Sequence, residues 1–196
     1  MRKGEAAREK ILDTSLRMAS RLGLDGVSFG DLANQLQISK SGLFAHFASK
    51  EDLQIETLGV AARRFTEAVL LPAFTKPRGL PRIRQVFENW MRWATDPGLP
   101  GGCLFVAASV ELDDQEGRTR DFVVATQRQF LAALAQSARL AVQEGHFHGD
   151  VDCDQFAFEL HSILLGFNHA RRLLRDPKAE RRARAAFDRL IRTAES

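Results

Sequence analysis

Between Ser28 and Lys50 the chain reads SFGDLANQLQISKSGLFAHFASK, and its hydrogen-bond donors are spaced for contact with a polyanion. Lys40, Ser41 and Gly42 open one short segment, His46 lies further round it, and Lys50 opens the next. Ammonium, hydroxyl and imidazole groups donate to phosphate oxygens, and small residues at a helix start let backbone N–H groups approach phosphates and base edges closely. The positive end of the helix dipole adds to that attraction. Catalytic chemistry finds no comparable support. The sequence has no HExxH spacing, no phosphate-cradling glycine loop and no nucleophile paired with a base. It therefore predicts no catalytic residue, no metal and no cofactor.

Weaker constellations have plainer readings. HFHGDVDCD gathers His146, His148, Asp150, Asp152, Cys153 and Asp154, all transition-metal ligand types. It reads as a polar interhelical turn with Asp152 as N-cap. Cys103 sits in an apolar stretch with no basic neighbour in sequence to lower its pKa, so it reads as an inert buried thiol. Glu111, Asp113, Asp114 and Glu116 read as a solvated acidic loop. Arg181, Arg182, Arg184, Arg189 and Arg192 read as an outer helix face, and Arg2 and Lys3 as a terminal tail.

Composition bounds the rest. The chain has 196 residues, 44% hydrophobic and 27% charged, enough for one domain or a small domain joined to a larger one. No window of the sequence has the apolar length of a membrane span. The N-terminus carries charges where a signal peptide needs an apolar core. Cys103 and Cys153 lie 50 residues apart without CxxC spacing, which excludes a disulfide scaffold and suits a cytoplasmic location. Residues 1–50 carry eight Lys/Arg against five Asp/Glu, whereas residues 51–170 carry eleven against sixteen. A basic head on an acidic body hints at nucleic-acid contact through one end.

These donors have to be held by helices, because helical periodicity runs almost everywhere and no alternating strand is evident. Ala7, Ile11, Ser15, Met18 and Leu22 mark one face of a first helix. Ser28 with Asp31 has capping-box spacing and opens a helix over about 29–36; Ser39 caps another over about 40–47. Ser49 opens a long fourth helix that Pro72 should stop. The apolar run Gly102–Leu112 predicts a buried helix in the middle of a second domain. Helices over about 118–144, 153–174 and 178–194 follow. The helix over 153–174 is apolar on two sides, one of them Phe158, Ser162, Leu165 and His169. With Phe187, Leu190 and Ile191 of the last helix, that side predicts a two-fold dimer interface.

Two short helices joined by a tight turn form a helix-turn-helix. Ile38 to Phe47, followed by Ser49-Lys50-Glu51-Asp52-Leu53, resembles the signature of the TetR family of bacterial transcriptional regulators. The resemblance covers about 50 residues, with the motif at 28–47; the remainder is similar only in helix count, lengths and order. It implies an all-α fold of about nine helices, with a DNA-binding head at 1–50 and a ligand-binding, dimerising domain at 51–196. It further implies a homodimer on a double-stranded operator, generally a repressor released by a small molecule. By position, Ser28, Lys40, Ser41, Gly42, Phe44, His46 and Lys50 would face DNA. Two residues depart from the pattern. Phe44 replaces a common Tyr and loses its hydroxyl, and Gln37 replaces a Gly that often makes the turn.

In the family, inward residues of the later helices line a cavity. Here these are Phe65, Val69, Phe87, Trp90, Met91, Phe105, Phe122, Phe130 and Phe167, with Ser109 and Gln127 as polar groups. They would suit an apolar or aromatic effector, or they simply fill the core. The alternative to a DNA-binding regulator is a helical carrier or sensor of small molecules, built on the same interior, that does not act on DNA.

Overall fold

The computed structural model describes residues 3–195, the side chain of Lys3 excepted; of the tail read at Arg2 and Lys3, Arg2 lies outside the described residues and the Lys3 backbone opens the first helix. The α-helices are α1 (Lys3–Leu22), α2 (Phe29–Leu36), α3 (Lys40–Phe44), α4 (Lys50–Phe65), α5 (Leu80–Trp93), α6 (Leu104–Glu111), α7 (Arg118–Gln143), α8 (Cys153–Arg172) and α9 (Ala179–Ala194). A π-helical turn, Thr66–Leu70, and a short α-turn, Leu71–Phe74, extend α4. Among the described residues the only β pairing is an isolated antiparallel bridge between Phe147 and Glu195.

Pro72 therefore does not end the fourth helix at residue 71. Its ring would clash with the Ala68 carbonyl in a regular α-helix, and it has no N–H to donate. Widening the preceding turn to a π-helix changes the hydrogen-bond register and lets the chain continue. Asn89, buried on α5, donates to the Val69 carbonyl within that turn at 2.9 Å. The α3 helix ends at Phe44, three residues short of expectation, although the Phe47 N–H still donates to the Leu43 carbonyl at 3.1 Å.

The chain divides into two compact units. One runs to Phe65 and takes in Thr95–Thr126; the other joins Thr66–Ala94 to the chain from Gln127 onward. This division differs from the boundary expected at residue 50. In the first unit Leu16 and Leu58 are fully buried in the α1–α4 packing, and the Ser15 and Thr57 hydroxyls meet at 2.8 Å. Arg64 pairs with Asp13 across the same two helices at 2.8 Å. The α6 helix packs on α1 and α4 within this same compact unit. Leu104, Phe105 and Ala108 are buried there, while Val110 stays 74% exposed. The Gly101 N–H donates to Ser20 Oγ at 3.1 Å, and a Cβ at that glycine would fall 1.3 Å from the Ser20 carbonyl oxygen.

In the second unit α9 packs on α8 and α5 supplies a buried stripe of Ile83, Val86, Phe87, Trp90 and Met91. The Phe87 and Phe187 rings stack with centroids 4.0 Å apart. Glu88 and Arg184 form a two-pronged ion pair beside them, one arm at 3.1 Å. Phe187 and Ile191 are thus buried within their own chain, which removes them from the predicted dimer interface. A side chain already covered by its own core has no surface to offer a partner.

Two stability measurements check this packing. Gln37 sits in the left-handed region at φ 56°, ψ 43°. Gln37→Gly should raise the unfolding free energy by about 0.5–1 kcal/mol, because the relief of αL strain exceeds the entropy glycine adds to the unfolded chain. Phe187→Ala should cost about 3–5 kcal/mol by urea unfolding, as for a core aromatic. A cost under about 1 kcal/mol would return Phe187 to the surface.

Candidate nucleic-acid interface

The head is assembled by local capping. Ser28 Oγ accepts the Asp31 N–H at 3.0 Å and donates to the Asp31 carboxylate at 2.5 Å, so the capping spacing is realised with a side-chain partner. Both hydrogen-bonding roles of that hydroxyl are filled within the chain. After α2, Gln37 takes the left-handed conformation that a glycine would occupy without strain. Ser39 Oγ then accepts the Gly42 N–H at 3.1 Å and lies 3.0 Å from Ser41 Oγ. Ser49 Oγ accepts the Asp52 N–H at 3.0 Å and opens α4.

These caps set what α3 shows and what it hides. Leu43 and Phe47 are buried, anchoring one side, while Lys40, Ser41 and Phe44 are exposed on the other. Lys40 lies across Gly30, where an added Cβ would fall 3.2 Å from the lysine Cε. Phe44 is 56% exposed, and its ring stacks on Phe29 at 4.6 Å with planes 19° apart, which fixes an apolar plate beside the polar first turn. His46 and Gly42 are half-buried. The Lys50 ammonium is already engaged, donating to the Asp25 carbonyl at 2.7 Å and lying 3.4 Å from the Asp25 carboxylate.

The acidic-loop reading fails at one residue. The Glu111 carboxylate accepts the Leu24 N–H at 2.8 Å and the Asp25 N–H at 2.6 Å. Glu111 is the last residue of α6, whereas Asp113, Asp114 and Glu116 lie beyond it and are exposed. Its place at the end of an apolar helix was the available signal. Its partners, more than 80 positions away, were not legible.

The pocket candidates fall in both compact units. Phe65, Phe105, Ser109 and Phe122 lie in the first unit; Val69, Phe87, Trp90, Met91, Gln127, Phe130 and Phe167 lie in the second. Within the second, Trp90 meets Phe167 edge-on at 6.4 Å, and Phe130 meets His161 at 5.9 Å. Burial holds the His161 imidazole below its ordinary pKa. In the interface set, Phe158 is 63% exposed, Ser162 and His169 are exposed, and Leu165 and Leu190 are half-buried. Leu173 and Leu174 are also exposed, just past α8, and were not anticipated, because they sit in an arginine-rich stretch.

Asp152 caps α8, accepting from the Asp154 and Gln155 N–H groups at 3.0 Å each, and Asp154 pairs with Arg139 at 2.9 Å. Burial pushes the Cys153 thiol up against the opposing pull of Arg139. Among the described residues no helix is long and apolar enough to cross a membrane, and no group of three His, Cys, Asp or Glu gathers as metal ligands.

Comparison with known proteins bears on this geometry. A family model described as bacterial regulatory proteins, tetR family, matches residues 11–57, and one described as tetracyclin repressor-like, C-terminal domain, matches 79–187. No curated protein matches the chain. A TetR-family regulator from Agrobacterium tumefaciens is similar over 99% of this chain and 100% of its own, with TM-score 0.86 and 16% identity. A transcriptional regulator from Saccharomonospora viridis in complex with choline is similar over 98% and 99%, with TM-score 0.84 and 20% identity. AibR, in complex with isovaleryl coenzyme A and operator DNA, is similar over 82% and 85%, with TM-score 0.70 and 23% identity. At such identities the likeness is one of fold. With one family model on the helix-turn-helix and the other on more than half of the chain, this protein belongs to the TetR family of DNA-binding transcriptional regulators.

Proposed function

We propose that this regulator is a cytoplasmic homodimeric repressor that reads a near-palindromic operator through two α3 helices. A small apolar or aromatic molecule bound in the C-terminal domain releases it. The observation that carries the reading is α3, whose small, polar first turn lies exposed while Leu43 and Phe47 anchor it from behind. Lys40, Ser41, Gly42, Phe44 and His46 then meet the groove and its flanking phosphates. Ser28 and Lys50 join them only by sharing or surrendering the internal bonds they make here.

Phe158, Ser162, Leu165, His169 and Leu190 form the dimer contact in this reading, extended by Leu173 and Leu174. A two-fold axis sets such a patch against its own copy. The apolar side chains of the second unit support an apolar effector, and the choline and isovaleryl coenzyme A complexes of the structural relatives support a small-molecule effector in general. Release is then a coupling free energy, as large as the effector's preference for dimers whose heads do not match the operator.

Selection of bound sequences from random duplex DNA, at near-physiological salt, tests this reading. It should recover a near-palindrome with half-sites about 34–36 Å apart or a multiple of that. Recovery of no motif from folded protein would favour the small-molecule carrier instead. On a recovered duplex, Lys40→Ala should weaken binding and reduce the salt slope by about one for each phosphate it leaves unneutralised. Lys50→Ala should also lower the melting temperature, since it releases Asp25. Ser41→Glu should abolish binding with the circular dichroism spectrum unchanged; retained affinity would take α3 out of the groove.

A further inference from the structure

The turn that feeds α2 is gripped from two directions. Gly23 ends α1 in the left-handed region at φ +80°, so the next two N–H groups, of Leu24 and Asp25, turn toward one point. Successive amides after a left-handed residue make a small anion-binding concavity. The Glu111 carboxylate fills it, one oxygen on each amide at 2.8 and 2.6 Å. The fit is close, since a Cβ at Gly23 would fall 2.8 Å from a Glu111 oxygen. On the carbonyl side, Lys50 donates to the Asp25 oxygen at 2.7 Å, and Gln54 donates to the Asp25 carboxylate at 2.9 Å.

Two charge-assisted bonds from one planar group fix direction as well as distance. Lys50 and Gln54 come from α4, next to the head in sequence. Glu111 comes from α6, inside the stretch that matches the C-terminal family domain, yet α6 packs in the same compact unit as the head. One carboxylate thus joins a helix of the effector domain's sequence to the backbone that aims α2 and α3.

We propose that Glu111 is a positioning residue for operator recognition, its carboxylate holding the α1–α2 turn so that the two heads of the dimer keep one separation. It touches no DNA. The proposal rests on the operator-binding dimer put forward above. Two heads held rigidly engage both half-sites only at the matching distance, whereas loosened heads tolerate several. Removing the carboxylate should therefore relax spacing selectivity while leaving each head able to bind a single half-site.

The test uses the full-length protein and the half-site recovered by selection, placed in palindromes whose central spacing varies by up to two base pairs either way. The wild type should prefer one spacing by about tenfold over its neighbours, within the usual range of coupling between sites. Glu111→Gln, which keeps the bulk and loses the charge, should reduce that preference to about twofold with half-site affinity unchanged. Glu111→Asp, charged but one methylene short of both amides, should fall between them and serves if the glutamine variant fails to fold. Glu116→Gln should match the wild type. Amide exchange at Leu24 and Asp25 should be slow in the wild type and faster in both Glu111 variants.

An unchanged spacing preference in Glu111→Gln overturns the proposal, as does unprotected exchange at Leu24 and Asp25 in the wild type. Loss of half-site affinity together with spacing preference also overturns it, because the residue would then merely hold the head folded. If the wild type itself recovers no operator, the dimeric repressor reading fails and this proposal falls with it. If the wild type recovers an operator and Glu111→Gln keeps its spacing preference or loses half-site affinity, this proposal alone falls.

Discussion

A helix of five residues has no stability of its own, since nucleation fixes several dihedrals for a single hydrogen bond. The α3 helix, Lys40–Phe44, exists only because other parts of the chain hold it. Ser39 supplies a side-chain acceptor for the Gly42 N–H at its start, and burial of Leu43 and Phe47 supplies the free energy. The same two anchors decide which side faces outward. Once they are inside, Lys40, Ser41 and Phe44 must be outside, so packing and recognition are one constraint seen from two sides.

That dependence spreads through the first compact unit. α1 and α4 form the floor under the head, joined by the Ser15–Thr57 contact and the Asp13–Arg64 pair. α4 reaches the α1–α2 turn through Lys50 and Gln54; α6 reaches it through Glu111. The exposed ion pairs contribute little stability individually. Bonds to backbone amides and carbonyls in the turn matter more for direction, because they constrain the chain itself. The head is therefore held by residues of α4 and α6 as well as by its own caps.

How much of this was legible follows from sequence separation. The caps at Ser28, Ser39, Ser49 and Asp152 are legible because each joins residues two or three apart, and the side-chain types state the chemistry. Gln37 was legible for the same reason. What sequence alone could not supply was partnership over distance. An apolar run says that α6 is buried, not that α1 and α4 bury it. Phe187 lies on an apolar stripe whether that stripe meets Phe87 or a second subunit, and only the stacked rings decide. Pro72 forbids a regular α-helix locally, but a wider turn with Asn89 on a carbonyl is a tertiary solution. Glu111 looked like one acid among four until its carboxylate was placed on two amides.

In the proposed complex, α3 enters the major groove at two symmetry-related places on one operator. Guanine N7 lies in that groove, and a bound helix shields it from methylation by dimethyl sulfate. On a selected operator that carries guanines in each half-site, two protected clusters should appear about one helical turn apart, or a multiple, symmetric about the palindrome's centre. Uniform reactivity at saturating protein, or a single protected cluster, would contradict it.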